Sequence, residues 1–371
     1  MSIKICFIAS HFPQGGAERQ TTELIKGLLM KDYEVSLLLY QSDIVFYSEL
    51  KKLKVNFILN SKKSSQITFF KWVNNILFLR KNLKKESFDI IHTYLFYNGI
   101  LVRLFAPKKF KKKIIYSVRN SYEDVSKLFY YLDIILNKRS INIYNSKKSF
   151  IQLYKNPSRS ILNNNQVIYN GFDVLKFNAN NRKHNNIITI GMVGRMTFQK
   201  NQIQVLKAIV EMKKVINHSF KLYLIGDSGL DEGVNIKNFI KKNDLIAEVV
   251  LLDSQENIED YYRMFDVFVL PSIYEGCPNA LFEAMLSKCL CIISKGANSD
   301  FFIKNGVNGL VYDGSDEMLE LQLKAAIDLL KKGFANEIIL NGYNYAMDNF
   351  SLTSMVNKYH NVYNDLIDKT K

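Results

Sequence analysis

Cysteine is scarce in this chain and carries no pattern. The four cysteines, Cys6, Cys277, Cys289 and Cys291, show no C-x-x-C spacing, and the five histidines are scattered. Neither a disulfide framework nor a structural zinc site is therefore expected, and a reducing, cytoplasmic setting fits. Long apolar runs are missing too. None approaches the ~18 residues of a membrane span, and the apolar opening at residues 3–9 is too short for a signal peptide, so it reads as a first buried strand. The G-x-G-x-x-G dinucleotide fingerprint and the G-x-x-x-x-G-K-[ST] phosphate loop are absent, which argues against a nicotinamide dehydrogenase. No short repeat or low-complexity tract interrupts the chain.

What is present is bulk and positive charge. With 371 residues, 47% of them hydrophobic, the chain is long enough for about two cores. Its formal charge of +15 invites nucleic acid or an anionic membrane surface as a partner. The competing explanation is compositional, because Lys, Asn, Ile, Phe and Tyr are abundant together, as an AT-rich genome would produce.

Read in order, apolar strand-like runs alternate with amphipathic stretches. Strands are expected at 3–9, 35–40, 89–92, 113–118 and 141–144, with a strand and turn at 167–173. Gly15 and Gly16 lie between the first strand and a helical pattern, where glycine lets the backbone approach an anion at a helix N-terminus. Thr68 to Lys85 is a long amphipathic pattern with Phe69, Phe70, Val73, Ile76, Leu77 and Leu83 on one stripe. With Lys108 to Lys113 it suggests a membrane-facing surface; the alternative is simple packing on its own sheet. A polar tract at 178–186 is taken as a linker, giving a first domain at 1–177 and a second at 187–351. In the second, strands are expected at 187–193, 220–225, 248–252, 266–270 and 289–294, with helices between them. This alternation predicts an α/β architecture of two Rossmann-like, doubly wound parallel sheets.

The stretch from Ser272 to Met285 carries the chemistry. A strand stops at Pro271, Gly276 and Pro278 make a turn, and a helix follows, so Glu275 and Glu283 flank a crevice at a strand's carboxyl end, where such sheets bind ligands. Gly194-Arg195, with Lys200, follows another strand, so two cations can flank a diphosphate at a helix start. A solvated turn is the plainer reading of Arg195 and Lys200, and a helix-capping carboxylate plus a solvent-facing helix residue that of Glu275 and Glu283. Paired carboxylates also fit a glycosidase, but a hydrolase has little need of the two cations.

These residues together resemble the glycosyltransferases of family 4, with the GT-B fold of two Rossmann-like domains facing a central cleft. The matching segments are Gly15-Gly-Ala-Glu-Arg19, Asn170-Gly-Phe-Asp173, Gly194-Arg195 with Lys200-Asn201, Gly226-Asp-Ser-Gly229, and the E-x7-E spacing of Glu275 and Glu283. The resemblance implies a retaining transfer from a nucleotide sugar, expected to be UDP-linked, with no bound metal or other cofactor. Arg195 and Lys200 would hold the donor diphosphate, Glu283 the ribose, and Glu275, with Gly276, Cys277 and Asn279, the donor sugar. Gly15 and Gly16 would approach the phosphate, Asp253 would lie at the base, and a last helix at about 352–371 would cross back onto the first domain. The implied acceptor is a glycan, such as a lipid-linked oligosaccharide of bacterial surface polysaccharide assembly, reached from the cytoplasm at the membrane's inner face. Many members carry a histidine where this chain has Ser117-Val-Arg-Asn120, and a guanidinium is no base at neutral pH. Arg119 or Asn120 would then orient phosphate or acceptor, with His11 and His92 as further candidates. Outside this reading stand a non-catalytic nucleotide-sugar or nucleic-acid binder, nucleic acid being disfavoured, and another GT-B reaction such as epimerisation of a nucleotide sugar.

Overall fold

The computed structural model describes residues 2–10, 12, 16–41, 47–60, 68–119, 126–153, 164–178, 187–215, 220–229 and 231–369. It divides into two compact units, one made of Met1–Gly171 with Leu352–Lys371, the other of Phe172–Ser351.

In the first unit, seven strands form one sheet: β1 (Lys4–Ala9), β2 (Glu34–Leu39), β3 (Asn56–Leu59), β4 (Ile90–Tyr94), β5 (Ile114–Val118), β6 (Ile141–Tyr144) and β7 (Asn165–Val167). Their order is 3-2-1-4-5-6-7, and every neighbouring pair is parallel. β4 and β5 are buried at every position, and β1 at all but its first, because both faces of a parallel sheet are covered. One face is covered by the helices Gly16–Leu29 and Leu352–Asp368, whose Leu24, Ile25, Leu28, Met355, Tyr359 and Tyr363 share one core. These two helices meet so closely that a Cβ on Gly27 would lie 2.3 Å from a Val356 methyl. The other face carries the helices Thr68–Lys85, Phe96–Phe105 and Lys127–Leu136.

The second unit repeats the plan with six parallel strands: β8 (Ile188–Val193), β9 (Phe220–Ile225), β10 (Val249–Leu252), β11 (Val267–Leu270), β12 (Leu290–Ser294) and β13 (Leu310–Tyr312), in the order 10-9-8-11-12-13. In both units the chain winds outward in one direction and then returns to wind the other way. The strand order thus reverses between β1 and β4, and between β8 and β11, which is where doubly wound sheets open a crevice at their carboxyl edge.

The division falls earlier than residue 177. Phe172 accompanies Phe282 at a ring separation of 5.7 Å, Phe177 accompanies Tyr262 at 5.8 Å, and the Ser287 hydroxyl donates to the Phe177 carbonyl. Asp173 caps the short helix Val174–Phe177, so this segment is built into the second unit. Asn178 is described, while the remainder of the expected linker, 179–186, lies outside the described residues. Two strands escape the sequence pattern, β3 and β13, and both are short strands at the edge of their sheet. Among the described residues no helix is long and apolar enough to cross a membrane.

Candidate active site

Along the carboxyl edge of the second sheet the loops occur in the order of their strands. Asp253 follows β10, Gly226 to Gly229 follow β9, Gly194 to Asn201 follow β8, Ser272 to Pro278 follow β11, and Ala297 to Ser299 follow β12. Neighbouring strands are ~4.8 Å apart, so Asp253 lies on the order of 10 Å from the β8 loop. Such an edge can hold an elongated ligand, with a ring at one end and a phosphate chain in the middle.

The Lys200 ammonium donates to Glu275 Oε1 at 2.5 Å, and both groups are largely buried. Glu275, 9% exposed overall, thus has a cation beside it before any ligand arrives. The two loops are joined by Gln199, whose carbonyl accepts from the Ile273 N–H and whose side-chain amide donates to the Tyr274 carbonyl. On the far side the Ser299 hydroxyl donates to the Glu275 carbonyl at 2.9 Å. Arg195 is exposed, and its guanidinium makes no hydrogen bond or ion pair among the described residues. Its backbone is held from below, because Gln202 Nε2 donates to the Arg195 carbonyl. Gly226 permits this stacking of loops: a Cβ there would lie 2.0 Å from the Gly194 carbonyl oxygen, with φ at +156°.

Glu283 sits in the helix Asn279–Leu286, which starts after Pro278 without a side-chain cap, so its first N–H groups face the loop. The helix is buried almost all round, and Glu283 is only 4% exposed. This corrects the plainer reading of Glu283 as a solvent-facing helix residue. Its carboxylate accepts from the Tyr262 hydroxyl at 2.9 Å, which fixes its direction. Asp253 accepts from both the Ser228 hydroxyl and the Ser228 N–H. The Ser228 hydroxyl holds that carboxyl below its usual range. Beside Asp253 lies an open recess of about 550 Å³, lined in part by Gln255, Asn257, Tyr261 and Met264. Gly276, Cys277 and Asn279 are half-buried in the turn and the first helical position. Among the described residues no three His, Cys, Asp or Glu side chains converge as a metal site.

Residues 14–174 match the family model for Glycosyltransferase Family 4, and residues 174–344 match that for Glycosyl transferases group 1. The chain belongs to the family 4 glycosyltransferases. It is an enzyme of the hexosyltransferase type with the GT-B fold. Among curated relatives, the UDP-Gal:alpha-D-GlcNAc-diphosphoundecaprenol alpha-1,3-galactosyltransferase of Escherichia coli is 27% identical over 325 residues, 81% of each chain. The capsular polysaccharide biosynthesis glycosyltransferase CapH of Staphylococcus aureus is 26% identical, over 89% of this chain and 90% of its own. Among solved structures, Anabaena Alr3699/HepE, in complex with UDP and glucose, superposes with a TM-score of 0.79 at 18% identity, over 98% of this chain and all of the other.

In this glycosyltransferase, Gly16 and Arg119 belong to the first unit. Gly16 begins the helix Gly16–Leu29, while Gly15, His11 and Asn120 lie outside the described residues. Arg119 follows β5 and is held by Asn170 Oδ1 and, at 3.2 Å, by the Tyr359 hydroxyl. Nearby, His92 is fully enclosed between the Tyr363 and Ser117 hydroxyls, each 2.8 Å from a ring nitrogen. It is therefore a link between sheet and returning helix. Burial first, and then the Arg119 charge, push His92 down to about 3, whereas in the unfolded chain it titrates near 6.5. Between those values the folded state binds fewer protons, so stability contributed by neutral His92 is complete above pH ~6.5 and is lost as pH falls toward 3. The expected slope is up to ~1.4 kcal/mol per pH unit. Urea titrations at pH 7, 6 and 5 should show it, and His92→Gln should flatten it; equal slopes in the two proteins would refute the assignment.

Sequence reasoning did not single out Tyr262, Gln199, Ser299 or Ser228. Each acts on a residue of these loops or helices between 21 and 75 positions away, and only the loops containing Gln199 and Ser228 carried a local signal.

Proposed function

We propose that this enzyme transfers a hexose from a UDP-linked donor, with retention of anomeric configuration and without a bound metal, to a lipid-diphosphate-linked glycan in bacterial surface polysaccharide assembly. It does so from the cytoplasm at the inner face of the membrane. The observation that carries the reading is the Lys200–Glu275 pair at the β8/β11 reversal, with the exposed Arg195 on the same loop. As the bond between the sugar's anomeric carbon and the diphosphate oxygen breaks, negative charge develops on the diphosphate. Lys200 and Arg195 are placed to stabilise it. Glu275 and Glu283 are hydroxyl acceptors, the first for the donor sugar and the second for the ribose, and the recess beside Asp253 takes the base. The donor and acceptor are supported by the E. coli relative's name, which contains both a UDP-sugar and a diphosphoundecaprenol acceptor, and by the UDP and glucose in the Anabaena neighbour.

The test is turnover of UDP-galactose, UDP-glucose and UDP-N-acetylglucosamine with a GlcNAc-diphospho-lipid acceptor, followed by NMR of the product. One donor should react to an α-linked product, at a rate unchanged by EDTA. No reaction with any UDP-sugar would remove the donor assignment, a β-linked product the retention, and loss of rate in EDTA the metal independence.

A further inference from the structure

Three helices form one layer on the outer face of the first sheet. Phe96–Phe105 is the middle one. On one side Asn75 Nδ2 donates to the Tyr97 hydroxyl at 3.1 Å and Trp72 meets the Tyr97 ring edge-on at 5.2 Å. On the other, Arg103 forms a fully buried ion pair with Asp133. The helices Thr68–Lys85 and Lys127–Leu136 are thereby fixed to their neighbour.

The outward side of both flanking helices is apolar. On Thr68–Lys85 the exposed residues Phe70, Val73 and Leu77 follow an i, i+3, i+7 spacing, with Phe70 56% and Leu77 61% accessible, while Leu79 and Leu83 face the core. On Lys127–Leu136 the same spacing gives Leu128, Tyr131 and Ile135, at 68%, 61% and 71%. At 100° per residue each trio lies within ~60° of arc, a single stripe. Each stripe then turns basic. Arg80, Lys81 and Lys84 continue the first, all exposed, and Lys138 and Arg139 follow the second. Among the described residues no carboxylate lies on either stripe. Scattered exposed apolar residues need no explanation, but two matched stripes in one layer, each ending in cations, do.

We infer that this face of the first unit docks on an anionic phospholipid bilayer, with Phe70, Val73, Leu77, Leu128, Tyr131 and Ile135 inserted and the cations on the headgroups. An interfacial helix has this division of apolar face and basic rim, and the basic ends match anionic lipid in charge. Both helices cross over between parallel strands, so they run from the sheet's carboxyl edge back to its amino edge. The apolar half of Thr68–Lys85 therefore lies toward the carboxyl edge, and on both helices the basic end lies toward the amino edge. Docking tilts the carboxyl edge, which carries Arg119 and the start of the Gly16 helix, toward the lipid. The inference gives the membrane reading proposed above a defined surface, and its test does not depend on sugar transfer.

The experiment is co-sedimentation of the full chain with vesicles of pure phosphatidylcholine and of phosphatidylcholine with about 30% phosphatidylglycerol, at about 0.1 and 0.5 M salt, over which the Debye length shortens from about 10 Å to about 4 Å. Wild type should partition onto the anionic vesicles at least tenfold better than onto the neutral ones, and less so at high salt. The triple variant Leu128→Ser/Tyr131→Ser/Ile135→Ser should lose at least tenfold, and so should Arg80→Glu/Lys84→Glu. Fluorescence of Trp72, the single tryptophan, should shift on vesicle addition for wild type alone. Slow hydrolysis of a soluble UDP-sugar should be unchanged in all three proteins, so a lack of hydrolysis overturns the transferase reading and leaves this one standing. Equal partition of wild type and the triple variant overturns the inference. So does a wild-type dimer in solution that the triple variant converts to monomer, because the face would then cover a second copy of the chain.

Discussion

Lys200→Ala is expected to lower the rate of sugar transfer by about 10²–10³, the usual consequence of removing one charge-stabilising donor from a transition state. Two effects combine in that loss. The diphosphate loses a cation as negative charge builds on it, and Glu275 is left largely buried without its 2.5 Å partner. Glu275→Ala removes the second problem but also the hydroxyl acceptor, so it should raise the donor KM as well as lower kcat. The double variant separates the two contributions: non-additive losses mark a pair acting as one unit. Initial rates with a saturating UDP-sugar, alongside thermal unfolding to confirm folding, provide the check. Either single variant working within about threefold of wild type would refute the assignment.

Arg103→Met is expected to cost the fold about 3–5 kcal/mol, since it takes the guanidinium away from a carboxylate, Asp133, that stays buried. Arg103 also donates to the Gly99 carbonyl and lies 4.2 Å over the Tyr116 ring, so its stem and head are both built in. Adding Asp133→Leu removes the stranded charge and should restore at least half of the loss, because a buried pair exchanged whole for apolar residues is often close to neutral. Urea unfolding of the two variants tests this. A single variant within ~1 kcal/mol of wild type would show that the pair is dispensable.

Asp133 also explains what the sequence conceals. The segment Lys-Leu-Phe-Tyr-Tyr-Leu-Asp-Ile-Ile-Leu carried no reading in the sequence, and a lone aspartate among apolar residues would ordinarily face water. The structure reverses this: Asp133 is inside and Leu128, Tyr131 and Ile135 are outside, because Arg103, thirty positions earlier, supplies the charge that lets Asp133 be buried. No local pattern contains that information. Thr68–Lys85 was legible as amphipathic, but its apolar residues divide between two sides, and one stripe hid both. The central strands were plain because both of their faces are buried and they are mostly apolar. β3 and β13 were not, since three or four residues with partly exposed positions resemble loop. At the site, Arg195, Lys200 and Glu275 were legible because glycine and proline mark their turns. The burial of Glu283 was missed, as Tyr262 is what makes a carboxylate tolerable inside that helix.

The return of Leu352–Asp368 to the first unit sets the order in which the chain is completed during synthesis. Met355, Tyr359 and Tyr363 belong to the same core as β1 and β2, and they emerge from the ribosome only after the whole of Phe172–Ser351 has been made. At ~5–20 residues per second that interval is on the order of ten to forty seconds. The second unit can close its sheet during that time, while the first carries an open apolar groove along the Gly16–Leu29 helix. That groove stays open to water until the last helix closes it.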